Sequence, residues 1–419
     1  MSGSPRHRPL PSPPMTARLR ALDPALLLLA AMVFIVQVGV AIMLPLLPLY
    51  ALELGATPFV LGLLTSTFAI TNAIGQLMTG FLAERFPVRR MLAVGIGSYA
   101  IANFLIASAG TAAALLVFRA ASGIGGGVML VGERLYLVQI TERARLAFAN
   151  GVLSAAGSAG SVAGPAIGGL LAALADLRLP FLIVGVTSLV ATVGALFLPK
   201  PAEQTTEEKP AADQLEEPAP RTSDSRRLVI LLLAQISLMS AYGAFITTYG
   251  PFADQRLGWS TAEVGLVFAL FGLGAITFGP WLGRQADLRG RRQVAVLGTL
   301  PIIIFTCVYW LEAPRLVLYV ASFAAGAGIT GVTASWYALL ADATEGGRRG
   351  KRFGTVAALG NLGIIVGATL SAVLWESLGL VSIGFVVGGL SVVLCALAFM
   401  LLPADRPLAD QPLSALGAR

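Results

Sequence analysis

Residues 151–169 read GVLSAAGSAGSVAGPAIGG, and residues 354–372, 203 positions further on, read GTVAALGNLGIIVGATLSA. Gly151, Gly157, Gly160 and Gly164 fall on Gly354, Gly360, Gly363 and Gly367. The offset holds well beyond this stretch, from the Gly55/Gly258 pair to the Gly185/Gly388 pair. Eleven of the twenty-one glycines between positions 24 and 199 meet a glycine 203 residues on, against about two or three expected by chance for 47 glycines in 419 residues. The match needs no gap, so the two halves share helix and loop lengths. The chain is an internal duplication and should fold with two-fold pseudo-symmetry.

Hydrophobic residues make up 56% of the chain and charged ones 12%, about half the ~25% charge of soluble domains. Apolar runs long enough to cross a ~30 Å hydrocarbon layer as helix fall roughly at 25–50, 59–83, 91–109, 112–138, 148–174 and 179–198, and again at 228–252, 261–286, 293–312, 315–341, 353–377 and 380–402. The expected fold is therefore an all-α integral membrane protein with twelve transmembrane helices in two pseudo-symmetric six-helix bundles. The expected divisions are a disordered tail 1–24, a first bundle 25–198, a linker 199–227, a second bundle 228–402 and a tail 403–419. The N-terminal stretch is Pro-rich without an apolar core, so it does not read as a cleavable signal.

Arginine and lysine concentrate in the loops after spans 2, 4, 8 and 10, from Arg85, Arg89, Arg90, Arg143 and Arg145 to Arg348, Arg349, Lys351 and Arg352. The opposite loops hold only Arg178, Arg256 and Arg315. Positive residues stay on the cytoplasmic side, which predicts cytoplasmic termini in a bacterial-type inner membrane. This topology accounts for the net charge of +7. Separate basic loops without interleaved aromatics give no nucleic-acid surface. Cys307 and Cys395 lie in apolar spans, where free cysteine usually behaves as a small buried hydrophobe.

After span 2 comes Gly80-Phe-Leu-Ala-Glu84-Arg85-Phe-Pro87-Val-Arg89-Arg90, and after span 8 Gly283-Arg-Gln-Ala-Asp287-Leu288-Arg289-Gly290-Arg291-Arg292. This pair resembles the loop signature of the major facilitator superfamily, which occurs once per half. Pro87 replaces a glycine in the first copy and Leu288 a basic residue in the second, while both acids remain. The resemblance implies a conformational latch: Glu84 would meet the N-terminus of span 11 and Asp287 that of span 5, with Gly80, Gly283 and the flanking arginines completing each copy. A carboxylate at a helix N-terminus is worth ~0.3–2 kcal/mol.

Span 4 carries Arg119-Ala-Ala-Ser-Gly123-Ile-Gly125, similar to a further element of that family, with Ser322 at its repeat position. Span 5 carries Gly160, Gly164, Pro165, Gly168 and Gly169, and this element resembles one associated with proton-driven antiporters. Glycines four apart also let helices approach closely, and the repeat keeps Gly363 and Gly367 but has Ala368 for Pro165. The antiport reading thus rests mainly on Gly164-Pro165.

Proton coupling requires a group that changes charge inside the membrane. The single histidine, His7, lies in the tail, and Glu133 is the one clear acid deep in the apolar spans. It lies fourteen residues beyond Arg119, ~21 Å along a helix and about 40° short of whole turns, so both point to one side. Burial and a neighbouring cation act on a carboxyl in opposite senses, so with Arg134 beside it the proton occupancy of Glu133 can follow conformation. A static Glu133/Arg134 ion pair is the competing reading. Repeat symmetry sets Trp336 and Tyr337 opposite Glu133 and Arg134, an acid facing an aromatic across a central cavity, suited to a lipophilic cation. Gln37, Met239, Tyr242 and Phe245 are further cavity candidates, because the resembled fold lines its pore with the first helix of each triplet.

The expectation is a monomeric secondary transporter that exports small amphipathic compounds in exchange for protons by alternating access. A metabolite, siderophore or lipid exporter and a non-transporting sensor with the same fold are the alternatives. No phosphate-binding Gly-x4-Gly-Lys-Ser/Thr loop is present, so ATP is not the expected energy source. No metal-ligand cluster or catalytic constellation points to an enzyme or to a cofactor.

Overall fold

The computed structural model describes residues 23–83, 85–142, 145–200, 225–344, 355–356 and 358–403. Among them run twelve long helices: α1 (Pro24–Glu53), α2 (Pro58–Leu82), α3 (Val88–Ala107), α4 (Ala112–Ile140), α5 (Leu146–Leu174), α6 (Arg178–Phe197), α7 (Ser225–Gln255), α8 (Thr261–Arg289), α9 (Arg291–Trp310), α10 (Arg315–Ala343), α11 (Leu362–Leu378) and α12 (Ile383–Met400). All twelve are long and apolar enough to cross a membrane once the residues leading into α11 are included. Their ends follow local chemistry. Asp23 accepts a hydrogen bond from the Ala25 N–H at 2.9 Å, with Pro24 in the first turn. At α8, Ser260 and Glu263 form a reciprocal capping box. Helix α7 begins at Ser225, three residues before the expected start, because Arg226 and Arg227 extend it beyond the apolar run.

The two halves pack alike. In the first, α1 pairs with α5 and α6, α2 with α4, and α3 with α4 and α6; the second repeats this as α7 with α11 and α12, α8 with α10, and α9 with α10 and α12. The glycines explain the closest pairings. An added Cβ at Gly160 or Gly164 would press on the Phe34 or Val38 carbonyl of α1, and one at Gly168 on Ile42. In the second half, Gly363 and Gly367 stand as tightly against the Ile236 and Ser240 carbonyls of α7. These glycines serve helix packing, as four-residue spacing suggests.

The arginines of the basic loops do related work in each half. Arg89 at the start of α3 donates to the Leu198 carbonyl just past α6 (2.8 Å), and its repeat partner Arg292 at the start of α9 donates to the Met400 carbonyl at the end of α12 (2.7 Å). Each cation meets the negative end of a helix dipole. At the opposite end, Arg256 pairs with Glu312 (2.6 Å) and Arg315 with Glu263 (2.9 Å).

The halves are joined at one end and apart at the other. At the end opposite the arginine-rich loops, here the far end, one continuous core takes Leu46, Tyr50 and Leu61 from the first half and Tyr249, Phe252 and Phe385 from the second. Toward the basic end each half has a core of its own, one around Leu92, Met129 and Tyr136 and the other around Ala295, Val332 and Trp336. Cross-half hydrogen bonds sit on the far side. Ser66 and Thr369 hydroxyls lie 3.0 Å apart, Thr65 and Thr247 hydroxyls 3.2 Å, and Thr261 donates to the Gly169 carbonyl at 3.1 Å. The Phe59 N–H, in the first turn of α2, donates to Glu376 Oε2 of α11 at 2.7 Å.

Candidate functional site

Between the halves, on the basic side of this joint core, lies a cavity of about 580 Å³. Helices α1, α4 and α5 supply Gln37, Glu133, Arg134 and a row of serines, and α8 and α10 supply Gly272, Ala275, Ile276, Pro280 and Thr330. The cavity is thus built from both bundles, which among the described residues meet on one side of it.

Glu133 and Arg134 line the cavity together but do not form an ion pair. Arg134 Nη1 donates to Asn150 Oδ1 of α5 at 3.2 Å, and Asn150 is held in turn by the Leu146 carbonyl. Among the described residues no hydrogen-bonding or ion-pairing group reaches the Glu133 carboxylate, which is half-buried in the wall. Gln37 Nε2 donates to Ser161 Oγ at 2.9 Å across the α1/α5 seam. Ser161 itself donates to the Gly157 carbonyl, so the amide and the hydroxyl form a fixed polar strip beside the acid.

The sequence reading missed most of that strip. Ser154, Ser158 and Ser161 all line the cavity. Their spacing of four and three puts them on one helical face, and this alternation with Gly157, Gly160 and Gly164 was the available signal.

Arg119 sits elsewhere. Its side chain is 7% exposed, with the guanidinium stacked 3.9 Å over the Phe68 ring and Nη1 3.9 Å from Met43 Sδ. Tyr99 donates to the same sulfur at 3.2 Å. Its Nε is buried without a hydrogen-bond partner among the described residues. Arg119 therefore belongs to the interior of the first bundle, held by a cation–π contact. Tyr242 of α7 is exposed and is not among the residues lining the cavity.

The expected aromatic wall opposite Glu133 is not brought to the cavity. Trp336 is 1% exposed and its indole N–H donates to the Leu231 carbonyl of α7 at 2.8 Å. A large ring with one donor is best satisfied inside the bundle, where the carbonyl awaits it. Tyr337 beside it is exposed and packs edge-on against Trp336. Phe245 joins Tyr249, Phe268 and Phe305 in the far-end aromatic core, and Met239 packs against the core of the second bundle. Trp336→Ala is expected to destabilise the protein by about 3–5 kcal/mol, read as a lower melting temperature in detergent. A cavity-lining role would instead leave the melting temperature alone and alter substrate affinity.

Of the latch residues, Glu84 lies outside the described residues, and the Asp287 side chain lies outside the described ones as well. An added Cβ at Gly80 or Gly283 would meet nothing within 4 Å, as expected for helix ends on the separated side. Arg85 and Arg90 are exposed there. Arg291 binds Asp342 and the Ala338 carbonyl of α10, within its own half. In the antiporter-like element, Gly169 faces across the halves, where a Cβ would strike the Thr261 carbonyl of α8. The Pro165 carbonyl lies against Gly265 of α8.

A sequence profile described as Major Facilitator Superfamily matches residues 29–256 and 231–417. Multidrug resistance protein 1 of Bacillus subtilis (strain 168) is 26% identical over 304 residues, 70% of this chain and 76% of that protein. Quinolone resistance protein NorA of Staphylococcus aureus (strain MRSA252) is 25% identical over 237 residues, 56% of this chain; the match spans 60% of NorA's length. Among solved structures, the nucleoside transporter NupG superposes with a TM-score of 0.72 at 16% identity, covering 90% of this chain and 98% of that one. A bacterial homolog to the human lysosomal transporter Spinster, in an inward-facing and occupied conformation, gives 0.71 at 15% identity, covering 93% and 97%. At such identities these two likenesses establish the fold alone.

Proposed function

Because the chain belongs to the Major Facilitator Superfamily, and is thereby a multi-pass membrane transporter, we propose that it exports small amphipathic compounds across a bacterial inner membrane in exchange for protons. The observation that carries this reading is the carboxylate of Glu133, without a bonded partner among the described residues, in the wall of a cavity built from both halves. Positive residues mark the cytoplasmic side, so the cavity lies on the cytoplasmic side of a closed far-end seam, with both termini cytoplasmic. A substrate enters from the cytoplasm and takes the place of the proton on Glu133. The halves then rock about the site, the far end parts, and the carboxyl regains a proton from outside as the substrate leaves. When the basic end closes, Glu84 and Asp287 meet the N-termini of α11 and α5 and hold it closed. The protein works as a monomer, with the bilayer, the substrate and protons as its partners.

Apolar Val33, Leu130 and Ile276 beside the Gln37/Ser161 strip suit a molecule with one apolar body and a few polar groups. The names of the two resistance proteins support the same substrate class. The polar strip also favours a second reading, export of a more polar metabolite. The test uses proteoliposomes with a trapped pH dye and a panel of lipophilic cations, neutral drugs and polar metabolites. Substrate-dependent proton movement is expected with the amphipathic compounds. Counterflow without proton movement would overturn antiport, and proton movement with polar metabolites alone would overturn the substrate class.

A further inference from the structure

A second cavity, of about 420 Å³, lies between α9 and α12, away from the transport site. We propose that it binds one hydrocarbon chain of a glycerophospholipid from the far leaflet of the bilayer. The groove is lined by Thr306, Cys307 and Trp310 on one helix and by Phe385, Gly389 and Leu390 on the other, among further apolar residues. The Thr306 hydroxyl already donates to the Ile303 carbonyl at 2.8 Å, so that hydroxyl asks nothing of a ligand. Both helices pack chiefly within their own bundle, and the outward residues flanking the groove, Leu300, Ile304, Leu394 and Leu397, are at least half exposed and all apolar. The medium outside is therefore lipid hydrocarbon.

The groove is a property of one half. The 203-residue offset places Phe104 opposite Cys307 and Val186 opposite Gly389. In the first half the Phe104 ring packs directly on Gly185, so the equivalent α3/α6 crevice is filled by the protein itself. In the second half the smaller Cys307 and Gly389 leave it open, and Cys307 is exposed rather than buried as its apolar span suggested.

Lipid tails are as apolar as leucine, so no hydrophobic gain drives a chain into the groove. The gain is in dispersion, since an unfilled groove leaves its lining atoms without partners on one side. If each methylene takes about as much room as a water molecule, ~30 Å³, the volume holds on the order of a dozen methylenes. Trp310, at the α9 end of the groove, suits the headgroup level where tryptophan concentrates, which sets the chain's polar end toward the far surface.

The two cysteines supply the test, because Cys395 is fully buried and Cys307 is exposed. In delipidated detergent micelles, N-ethylmaleimide modification of Cys307 is followed by intact mass as palmitoyl-oleoyl-phosphatidylglycerol is added. The rate is expected to fall at least about tenfold, the effect of ~1.4 kcal/mol of site occupancy, and to saturate. Native mass spectrometry should show a retained lipid on the wild type that is missing from Gly389→Val, which copies the filled half. A rate that declines in proportion to total lipid without saturating would overturn the proposal, as would equal lipid retention by wild type and variant. The wild-type saturation measurement stands even if the variant folds poorly.

Discussion

Glu133→Gln is expected to reduce substrate-driven proton movement in proteoliposomes to the protein-free background, while counterflow of a neutral substrate down its gradient persists. Glutamine keeps the shape of the side chain and removes its ability to exchange a proton. Because no described group is bonded to the carboxylate, the substitution leaves no partner stranded, and its effect on stability should be as small as that of a surface change, within about 0.5 kcal/mol. Loss of coupling in a protein with an unchanged melting temperature would therefore reflect chemistry at the site. If proton movement survives in Glu133→Gln, the coupling acid lies elsewhere and Glu133 is a polar element of the cavity wall.

Gly265→Val is expected to drive the far ends of the halves apart. A Cβ there collides with the Pro165 carbonyl oxygen of α5, a main-chain atom that cannot rotate away. Overpacking of this kind costs typically 1–3 kcal/mol, and a change of that size moves a two-state equilibrium roughly 5–150-fold. Gly62, whose added Cβ would press on the Ala368 carbonyl of α11, should behave similarly when replaced by valine. Gly151→Ala is the control, since a Cβ there meets nothing in the same conformation. Distances between spin labels at the far ends of α5 and α8 would report the change. An unaltered distance distribution in Gly265→Val would show that the seam yields locally and does not govern the opening.

Most of the fold was legible in the sequence because two regularities reinforce each other. The apolar lengths fix the helices, and the constant 203-residue offset requires the same packing partners in both halves, as α1/α5 and α7/α11 illustrate. The glycines were legible for a related reason: a four-residue period against a neighbouring backbone leaves no room for a side chain. The site was legible only in part. Glu133 stood out because a carboxylate in an apolar span has few reasons to be there. Pseudo-symmetry then misled, since an equal position in the repeat does not require an equal environment. Trp336 occupies the position of Glu133, but its indole N–H finds the Leu231 carbonyl inside the bundle. Likewise Arg119 and Glu133 share a helix side, yet the Phe68 ring draws the guanidinium into the bundle. Such choices depend on which neighbouring helix offers a partner, which period and composition do not encode.

The contact between Glu376 and the first turn of α2 gives the far-end seam a handedness that the duplication does not possess. The repeat position of Glu376 is Ala173, so among the described residues the α5/α8 seam has the neutral bond from Thr261 to Gly169 where the α2/α11 seam has an exposed carboxylate on a helix N-terminus. Dissolved salt screens the charged contact, while the neutral one is indifferent to it. At high ionic strength the α2/α11 side loosens first and the α5/α8 side acts as the pivot. A rotation that parted the far ends would then tilt off the pseudo-two-fold axis, by an amount that follows the salt around that seam.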